Sequence, residues 1–446
     1  MDAQEKKFKE MTEPPVEKLI CRLAVPCIIS MLVTSFYNMA DTFFVGLLHS
    51  NAATGAVGVV FSMMAIIQAV GFFFGQGSGT FISRSLGQKD TKAASEMAST
   101  GFFSALTIGI IVCLIGELNL ESLAYLLGST DTMLSDTKSY LGYILLGAPF
   151  IIGSFVLNNQ LRFQGGAMYA MVGIASGAVL NIILDPILIF ACNMGVGGAG
   201  LATSISQCFS FILMLIGCSK GGNIAIRIKN FRLKGHYFYM ILRGGLPSLA
   251  RQSLSSLATI CLNHAAGPFG DAAIAAMGVV QRIAMFGAST MLGFGQGFQP
   301  VCGFNYGAGF YDRVKKGFWF CIKVSTCVLA GVAALGFAFA PQLISLFRDD
   351  PQVIEYGALA LRMQCIAFPV HGWIVMSNMM QQSTNKTIPA TFLSVARQGL
   401  FFIPIVLIMS NLLGMLGVQM AQATADLLTF LCALPLQLHI LKKMKK

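Results

Sequence analysis

Charge is what this sequence has least of. Only 11% of its 446 residues are Asp, Glu, Lys or Arg, against about 25% in soluble domains. A soluble surface needs far more charged side chains than that, while a surface facing lipid needs almost none, so an ordinary soluble enzyme is excluded. Other absences narrow the field further. The 12 cysteines include no C-x-x-C pair and have no neighbouring His set, so small buried thiols replace zinc or disulfide frameworks as the reading. The opening stretch MDAQEKKFKEMTEPP has no signal-peptide core, and the first apolar segment is expected to remain as a span. The glycine-rich runs GFFFGQGSG and GFGQGFQP lack the Lys-Ser/Thr ending of a phosphate loop and lie inside apolar segments. Close helix packing or hinge bending is the expectation for them, and with no ATP-binding motif any transport would run on an ion gradient.

What fills the chain is apolar sequence, 55% of residues with a mean hydropathy of +0.71. Twelve apolar segments of spanning length are expected at 19–48, 52–82, 97–117, 139–161, 168–192 and 196–217, then 236–266, 271–304, 314–340, 354–382, 387–410 and 414–441. Each can cross about 30 Å of hydrocarbon at about 1.5 Å per residue. The fold class is therefore an all-α polytopic membrane protein with little left for an extramembrane domain.

The distribution of charge sets an orientation. Counted over the breaks between segments with the N-terminus inside, 23 of the 30 basic residues fall on the cytoplasmic side, from Lys6 and Lys7 to Lys445 and Lys446. External breaks hold only Lys138 and Arg348, and collect Glu117, Glu121, Asp131, Asp136, Asp271, Asp349, Asp350 and Glu355. The positive-inside rule then places both termini in the cytoplasm. The net charge of +11 is an orientation signal and a contact for anionic lipid, and it does not point to nucleic acid.

The two halves repeat. Ala56-Val57-Gly58-Val59-Val60 returns as Ala276-Met277-Gly278-Val279-Val280, and Phe74-Gly75-Gln76-Gly77 as Phe294-Gly295-Gln296-Gly297, both 220 residues on. Pro26 pairs with Pro247 at 221, and Ala148 with Gly153 pair with Ala367 with Gly372 at 219. Six spans per repeat is an even number, so equivalent helices run the same way and the repeats are related by a pseudo-twofold axis along the membrane normal. The expected organisation is a first lobe at 1–217, a basic cytoplasmic linker at 218–235 and a second lobe at 236–446. Duplication of this kind, with a cavity between lobes, is the architecture of a secondary transporter.

Charges inside spans cost on the order of 2.5 to 3.5 kcal/mol each and mark function by default. The acidic ones are Asp41, Asp185 and Asp426. Asn181 and Asp185 lie four apart on one helical face, and Pro186 removes a backbone donor beside the carboxylate. If Asp41 and Asp185 meet, two carboxylates out of water share a proton or a cation more readily than they hold two charges. The plainer alternative is that each satisfies a neighbouring hydroxyl or amide. Among the basic residues, Arg362 and Lys323 reach an interface, and Arg282 and Arg397 are expected to form an interhelical ion pair with Asp426. His264 and His371 are expected as satisfied core histidines. Met376, Met379 and Met380, and Phe72, Phe73 and Phe74, have side chains suited to a cavity for varied apolar cations, although most such residues face lipid or other helices.

These strings together resemble the multidrug and toxic compound extrusion (MATE) family. The resemblance rests on PCIISMLVTSFYNMADTFFVG from Pro26 to Gly46, SRSLGQKDTKAA, NIILDPILIF with GVGGAGLATSISQ, and QPVCGFNYGA, and it covers essentially the whole chain. It implies two six-helix lobes forming a V and export of organic cations and drugs in exchange for H+ or Na+. No cofactor is expected, a monomer is expected because the interior cavity of one chain needs no partner, and the inner (plasma) membrane is the expected location. The resemblance implies a cation-coupling set at Asp41, Asn181, Asp185 and Thr203, with no other metal site, and substrate contacts at Tyr37 and Asn158. Acidic ligands that another branch places in spans 7 and 10 are missing, since those spans offer Arg251, His264 and His371. A structural or gating ion pair is implied for Arg282, Arg397 and Asp426. Two rival readings stand beside this one: a flippase for lipid-linked precursors, and a membrane receptor or scaffold that transports nothing.

Overall fold

The structure, a computed structural model, describes residues 3–444; Lys445 and Lys446, counted above among the cytoplasmic basic residues, lie outside it. The described residues form helices and connecting loops, with no strand among them. After an amphipathic helix α1 (Ala3–Thr12), the first half contains α2 (Val16–Gly46), α3 (Asn51–Gly87), α4 (Thr91–Leu118), the short α5 (Leu120–Leu126), α6 (Leu134–Phe163), α7 (Ala167–Pro186) and α8 (Gly195–Cys218). The second half contains α9 (Gly235–Ala266), α10 (Asp271–Gly307), α11 (Tyr311–Ala338), the short α12 (Ala340–Ser345), α13 (Pro351–Ser383), α14 (Thr387–Val395), α15 (Ile403–Leu413) and α16 (Met415–Lys443). Side-chain caps mark where several begin: Ser50 Oγ accepts from the Ala53 N–H, and Asp90 Oδ1 from the Ala93 N–H.

Eleven helices among the described residues are long and apolar enough to cross a bilayer, against the twelve expected. The twelfth pass, α9, runs 32 residues but is interrupted by Arg243, Ser248, Arg251, Gln252, Ser253, Ser255 and Ser256. Part of this polar stripe is turned inward: Ser248 is buried, and Arg251, Gln252 and Ser255 line a cavity, while Ser253 and Ser256 are exposed.

Backbone geometry sharpens the repeat. Left-handed residues end equivalent helices at matched places: His49 and Gly270 are 221 apart, Lys89 and Gly309 are 220, Gly165 and Asn385 are 220, and Asn193 and Gly414 are 221. The short helices α5 and α12 also begin 220 apart. At α6 and α13 the in-helix prolines Pro149 and Pro369 and the helix ends agree on 220, which replaces the 219 read from Ala148 and Gly153.

The lobes cross-pack: α2 lies on α10 and α3 on α9. The glycines of the two repeated motifs make this possible. A Cβ on Gly77 would collide with the Ile241 backbone, and one on Gly297 with the Ala24 backbone. They are packing glycines, as expected, and not a phosphate loop. These contacts all fall in the half of the bundle nearest the α8–α9 linker. There, fully buried amides run across the lobe boundary: Gln76 donates to Asn159 (3.0 Å), and Gln299 donates to both Gln76 and Gln382 (3.3 Å each). The farthest polar contact between lobes is Ser35 to Ser289 at 3.2 Å, and beyond it Phe36, Met39, Phe43, Leu257 and Ile260 are exposed. The lobes are shut at the linker end and part toward the far end.

Candidate functional site

In the far half of the first lobe, α2, α6, α7 and α8 bring together the predicted acidic residues. Asp41, Asn181, Asp185 and Thr203 are all at least nine-tenths buried. Asn181 Nδ2 donates to Asp185 Oδ1 and to Thr203 Oγ1, each at 3.4 Å. The helical spacing of four holds Asn181 beneath Asp185. At Pro186 the missing N–H ends the α-helical ladder, and the chain continues as one π-helical stretch, Ile187–Ala191, in which the Cys192 N–H reaches the Ile187 carbonyl at 2.9 Å. Asp185 therefore sits where the helix changes register.

Asp41 takes a hydrogen bond from the Tyr140 hydroxyl at 3.2 Å. Sequence reasoning missed Tyr140: a tyrosine in an apolar span carries no signal by itself, and only the packing of α2 on its lobe brings the hydroxyl to the acid. Asp41 Oδ1, Asp185 Oδ2, Asn181 Oδ1 and the Ser206 hydroxyl are buried without a hydrogen-bond partner. Four unsatisfied oxygens in one region suit a small hard cation or a proton with water, since burying such groups unpaired is costly. The plainer alternative, each acid fully satisfied by a neighbour, is not what these orphan oxygens describe.

Beside the cluster is a chamber of about 40 Å³ whose wall includes Thr34, Tyr37, Gln68, Asn158, Asn181 and Thr203. Tyr37 and Asn158 are thus brought to one cavity, and no charged side chain lines it. Asn181 and Thr203 belong both to this wall and to the hydrogen bonds around Asp185. The methionine triad lies elsewhere: Met376, Met379 and Met380 are at most 2% exposed, packed in the core rather than on a cavity wall.

In the second lobe Arg397 grips Asp426 through two contacts, Nε to Oδ1 at 2.7 Å and Nη2 to Oδ2 at 3.4 Å, and Gln422 adds a third at 3.0 Å. Arg282 does not join them and is exposed. Its neighbour Gln281 lines the hollow that holds Arg397 and Asp426. One residue along a helix turns a side chain by about 100°, which carries Arg282 off that wall. His264 is exposed near the end of α9, which corrects the core assignment, while His371 is buried with Nδ1 unpartnered. Among the described residues no group of three His, Cys, Asp or Glu side chains converges as a metal site.

A duplicated two-lobed bundle of membrane-crossing helices with an acidic pocket in one lobe is the architecture of a transport protein. The MatE family model matches residues 26–187 and 247–408, one copy on each half, and the chain belongs to that family of multipass membrane transporters. It is 28% identical to the multidrug export protein MepA of Staphylococcus aureus over 421 residues, spanning 94% of this chain and 93% of that protein. The MepA of Staphylococcus saprophyticus is likewise 28% identical over 94% and 93%. Among solved structures, a multidrug resistance MATE family transporter in its outward-facing conformation superposes with a TM-score of 0.91, at 26% identity over 98% of each chain. A MATE in the straight conformation does so at 0.92, with 25% identity over 98% of this chain and 99% of that one.

Proposed function

We propose that this protein exports small organic cations, multidrug efflux in kind, in exchange for protons or sodium ions that load at Asp41, Asn181, Asp185 and Thr203. The names of its relatives support export of drugs. The observation that carries the coupling is the double membership of Asn181 and Thr203, which face the substrate chamber and also hydrogen-bond around Asp185. A proton or Na+ arriving at the acids recruits the free oxygens of Asp41, Asp185 and Asn181. That rotates or retracts groups forming the chamber wall, so ion and drug bind at each other's expense, which is the thermodynamic requirement for antiport. Tyr37 offers the cation an aromatic face and Asn158 a polar anchor.

The reading extends to placement. Residues 1–217 and 236–446 are taken as the two lobes, 218–235 as a cytoplasmic linker, and the site as the inner membrane with both termini inside. The linker end, where the lobes are shut, is then cytoplasmic, and the arrangement faces outward. A single chain encloses the whole path, so a monomer suffices.

The test is ethidium efflux from everted vesicles or proteoliposomes under an imposed pH gradient and, separately, a sodium gradient. Asp41→Asn and Asp185→Asn should abolish gradient-driven export while the protein stays folded by circular dichroism. Full export by both folded variants sinks the reading. The gradient that drives the wild type names the ion.

A further inference from the structure

The second lobe has a hollow that corresponds to the substrate chamber of the first. In the 220–221 register Thr34, Gln68, Asn158 and Gly177 map to Ser255, Ala288, Asn378 and Arg397, and all four of those line a space of about 180 Å³ between α9, α10, α13, α14 and the π-helical stretch Ala396–Phe402 that follows it. This space shares Ser255, Ala288, His371, Arg397 and Gln398 with the hollow around Asp426, so the two are continuous. Its chemistry is reversed. Arg397 stands where the first lobe has Gly177, and the place of Asp41 is taken by the buried Leu262.

The ionisable residues on these walls are Arg251, His371, Arg397 and Asp426. Asp426 is committed to Arg397, which leaves Arg251 without an acid. Among the described residues its polar contact is the Asn378 Oδ1 at 3.5 Å, the limit of a hydrogen bond. A guanidinium stays charged, and one held at mid-helix depth in a membrane protein without a counter-ion marks a place for an anionic partner. A second group is also unspent: His371 is 7% exposed, lines both hollows, and its Nδ1 has no partner. Ser394 and Gln398 add polar groups on the same wall.

We propose that Arg251, with His371, forms an oxyanion subsite that takes a carboxylate of the transported molecule, so that amphoteric substrates, carrying a cation and a carboxylate, are preferred over simple cations. Asn378 only steadies the guanidinium through its Oδ1, its Nδ2 being spent on the Ala390 carbonyl and the Ser394 hydroxyl. The inference rests on the reading of the chain as an exporter. It assigns the two lobes complementary shares of one ligand class: an aromatic face and a polar anchor, Tyr37 and Asn158, in the first, a guanidinium fork in the second. An arginine suits this because its paired N–H donors match the two oxygens of a carboxylate. A phosphate diester from a lipid headgroup presents the same chemistry, and the test separates the two.

The probes are rhodamine 6G, an esterified monocation, and rhodamine 19, the free acid of the same fluorophore. Transport of each is measured in proteoliposomes made of phosphatidylcholine alone and of phosphatidylcholine with phosphatidylglycerol. The readout is the ratio of the two KM values. Arg251→Gln is expected to raise KM for rhodamine 19 relative to rhodamine 6G by about tenfold, the loss of one charge-assisted hydrogen-bonded contact. Arg251→Lys, which keeps the charge, is expected to recover part of the preference. A ratio unmoved by Arg251→Gln overturns the proposal. So does an effect that is equal for both dyes and appears only with phosphatidylglycerol, which assigns the oxyanion to lipid. If the wild type exports neither dye, the exporter reading has failed. Fluorescence anisotropy of the two dyes on solubilised wild type and Arg251→Gln then still reports whether the free acid is selectively lost.

Discussion

The two lobes share a plan of six long helices, the same left-handed turns and the same cross-packing, yet they put opposite charges into equivalent space. The first lobe buries Asp41 and Asp185 with no basic side chain on the adjoining chamber wall. The second buries Asp426 but neutralises it with Arg397 and leaves Arg251 over. A duplicated scaffold therefore need not duplicate its chemistry. Helix packing depends on small residues such as Gly77 and Gly297, which recur, whereas the charge in a cavity depends on single positions that drift apart without disturbing the packing. An acid held with free oxygens is available to exchange a proton or cation. An acid held by two guanidinium contacts is not, because the arginine already satisfies it.

The strongest way to break this comparison is to remove the first lobe's acids. Asp185→Asn should abolish gradient-driven efflux, a loss of at least about 10- to 100-fold, the range a lost coupling free energy spans. Asp426→Asn should leave the ion dependence of efflux in place, with initial rates at several pH values or sodium concentrations as the measurement. Equal loss of ion dependence in both variants would erase the distinction between lobes.

Breaking the second lobe's pair should instead show as instability. Arg397→Gln leaves Asp426 buried without its counter-ion and with the Gln422 amide as its remaining hydrogen-bond donor, at a cost of about 2–3 kcal/mol, below the figure for fully buried pairs because Arg397 keeps a quarter of its side-chain surface. Thermal unfolding in detergent reads this, and Arg397→Met with Asp426→Leu together should return most of the lost Tm. A smaller effect is expected where the lobes meet. Gln299→Leu removes one hydrogen bond between the lobes, to Gln76, and one within the second, to Gln382, and should weaken the closed linker end by about 1 kcal/mol. Accessibility of a cysteine introduced near the linker, probed with a membrane-impermeant maleimide, should rise.

Most of this plan was legible in the primary structure, for a physical reason. A carboxylate in a 20-residue apolar segment is conspicuous because hydrocarbon penalises it, and Asn181 is tied to Asp185 by helical spacing alone. Periodicity does not report helix azimuth in a bundle that buries some faces and greases others. Arg282 and Arg397 looked alike in sequence, and only packing turned one toward Asp426 and the other outward. Tyr140 and Ser206 were hidden for a related reason: hydroxyls are tolerated in spans everywhere, so nothing marked the one that reaches Asp41 or the one left unpaired on the chamber wall.

The smallest expected effect concerns an asymmetry outside the repeat. Helix α1 precedes the first lobe alone and ties several parts together. Gln4 donates to the Gly222 carbonyl in the linker, Lys7 donates to Asn223, and the Asn305 amide and the Arg313 guanidinium of the second lobe reach the carbonyls of Met11 and Pro14 at 3.1 and 2.6 Å. Burial lowers the Lys7 ammonium from 10.5 to about 8, partly opposed by Glu10. Above about pH 8 the docked amine sheds its proton while the undocked one still holds it, so docking strengthens as pH rises from about 8 toward 10.5 and is weakest below. Hydrogen exchange of α1 should slow between pH 7.5 and 9.5 after correction for intrinsic rate, and Lys7→Met should remove that dependence.

Composition and charge placement decided the solvent, the class, the expected orientation and the twofold repeat, because hydrocarbon acts on every residue of a span and writes its constraint along the whole chain. Tertiary structure decided which end is shut, which arginine is paired, and that the acids keep free oxygens beside a chamber. Those outcomes turn on contacts between residues far apart in the chain, where a difference of one helical step moves a charge from a cavity wall to the outside.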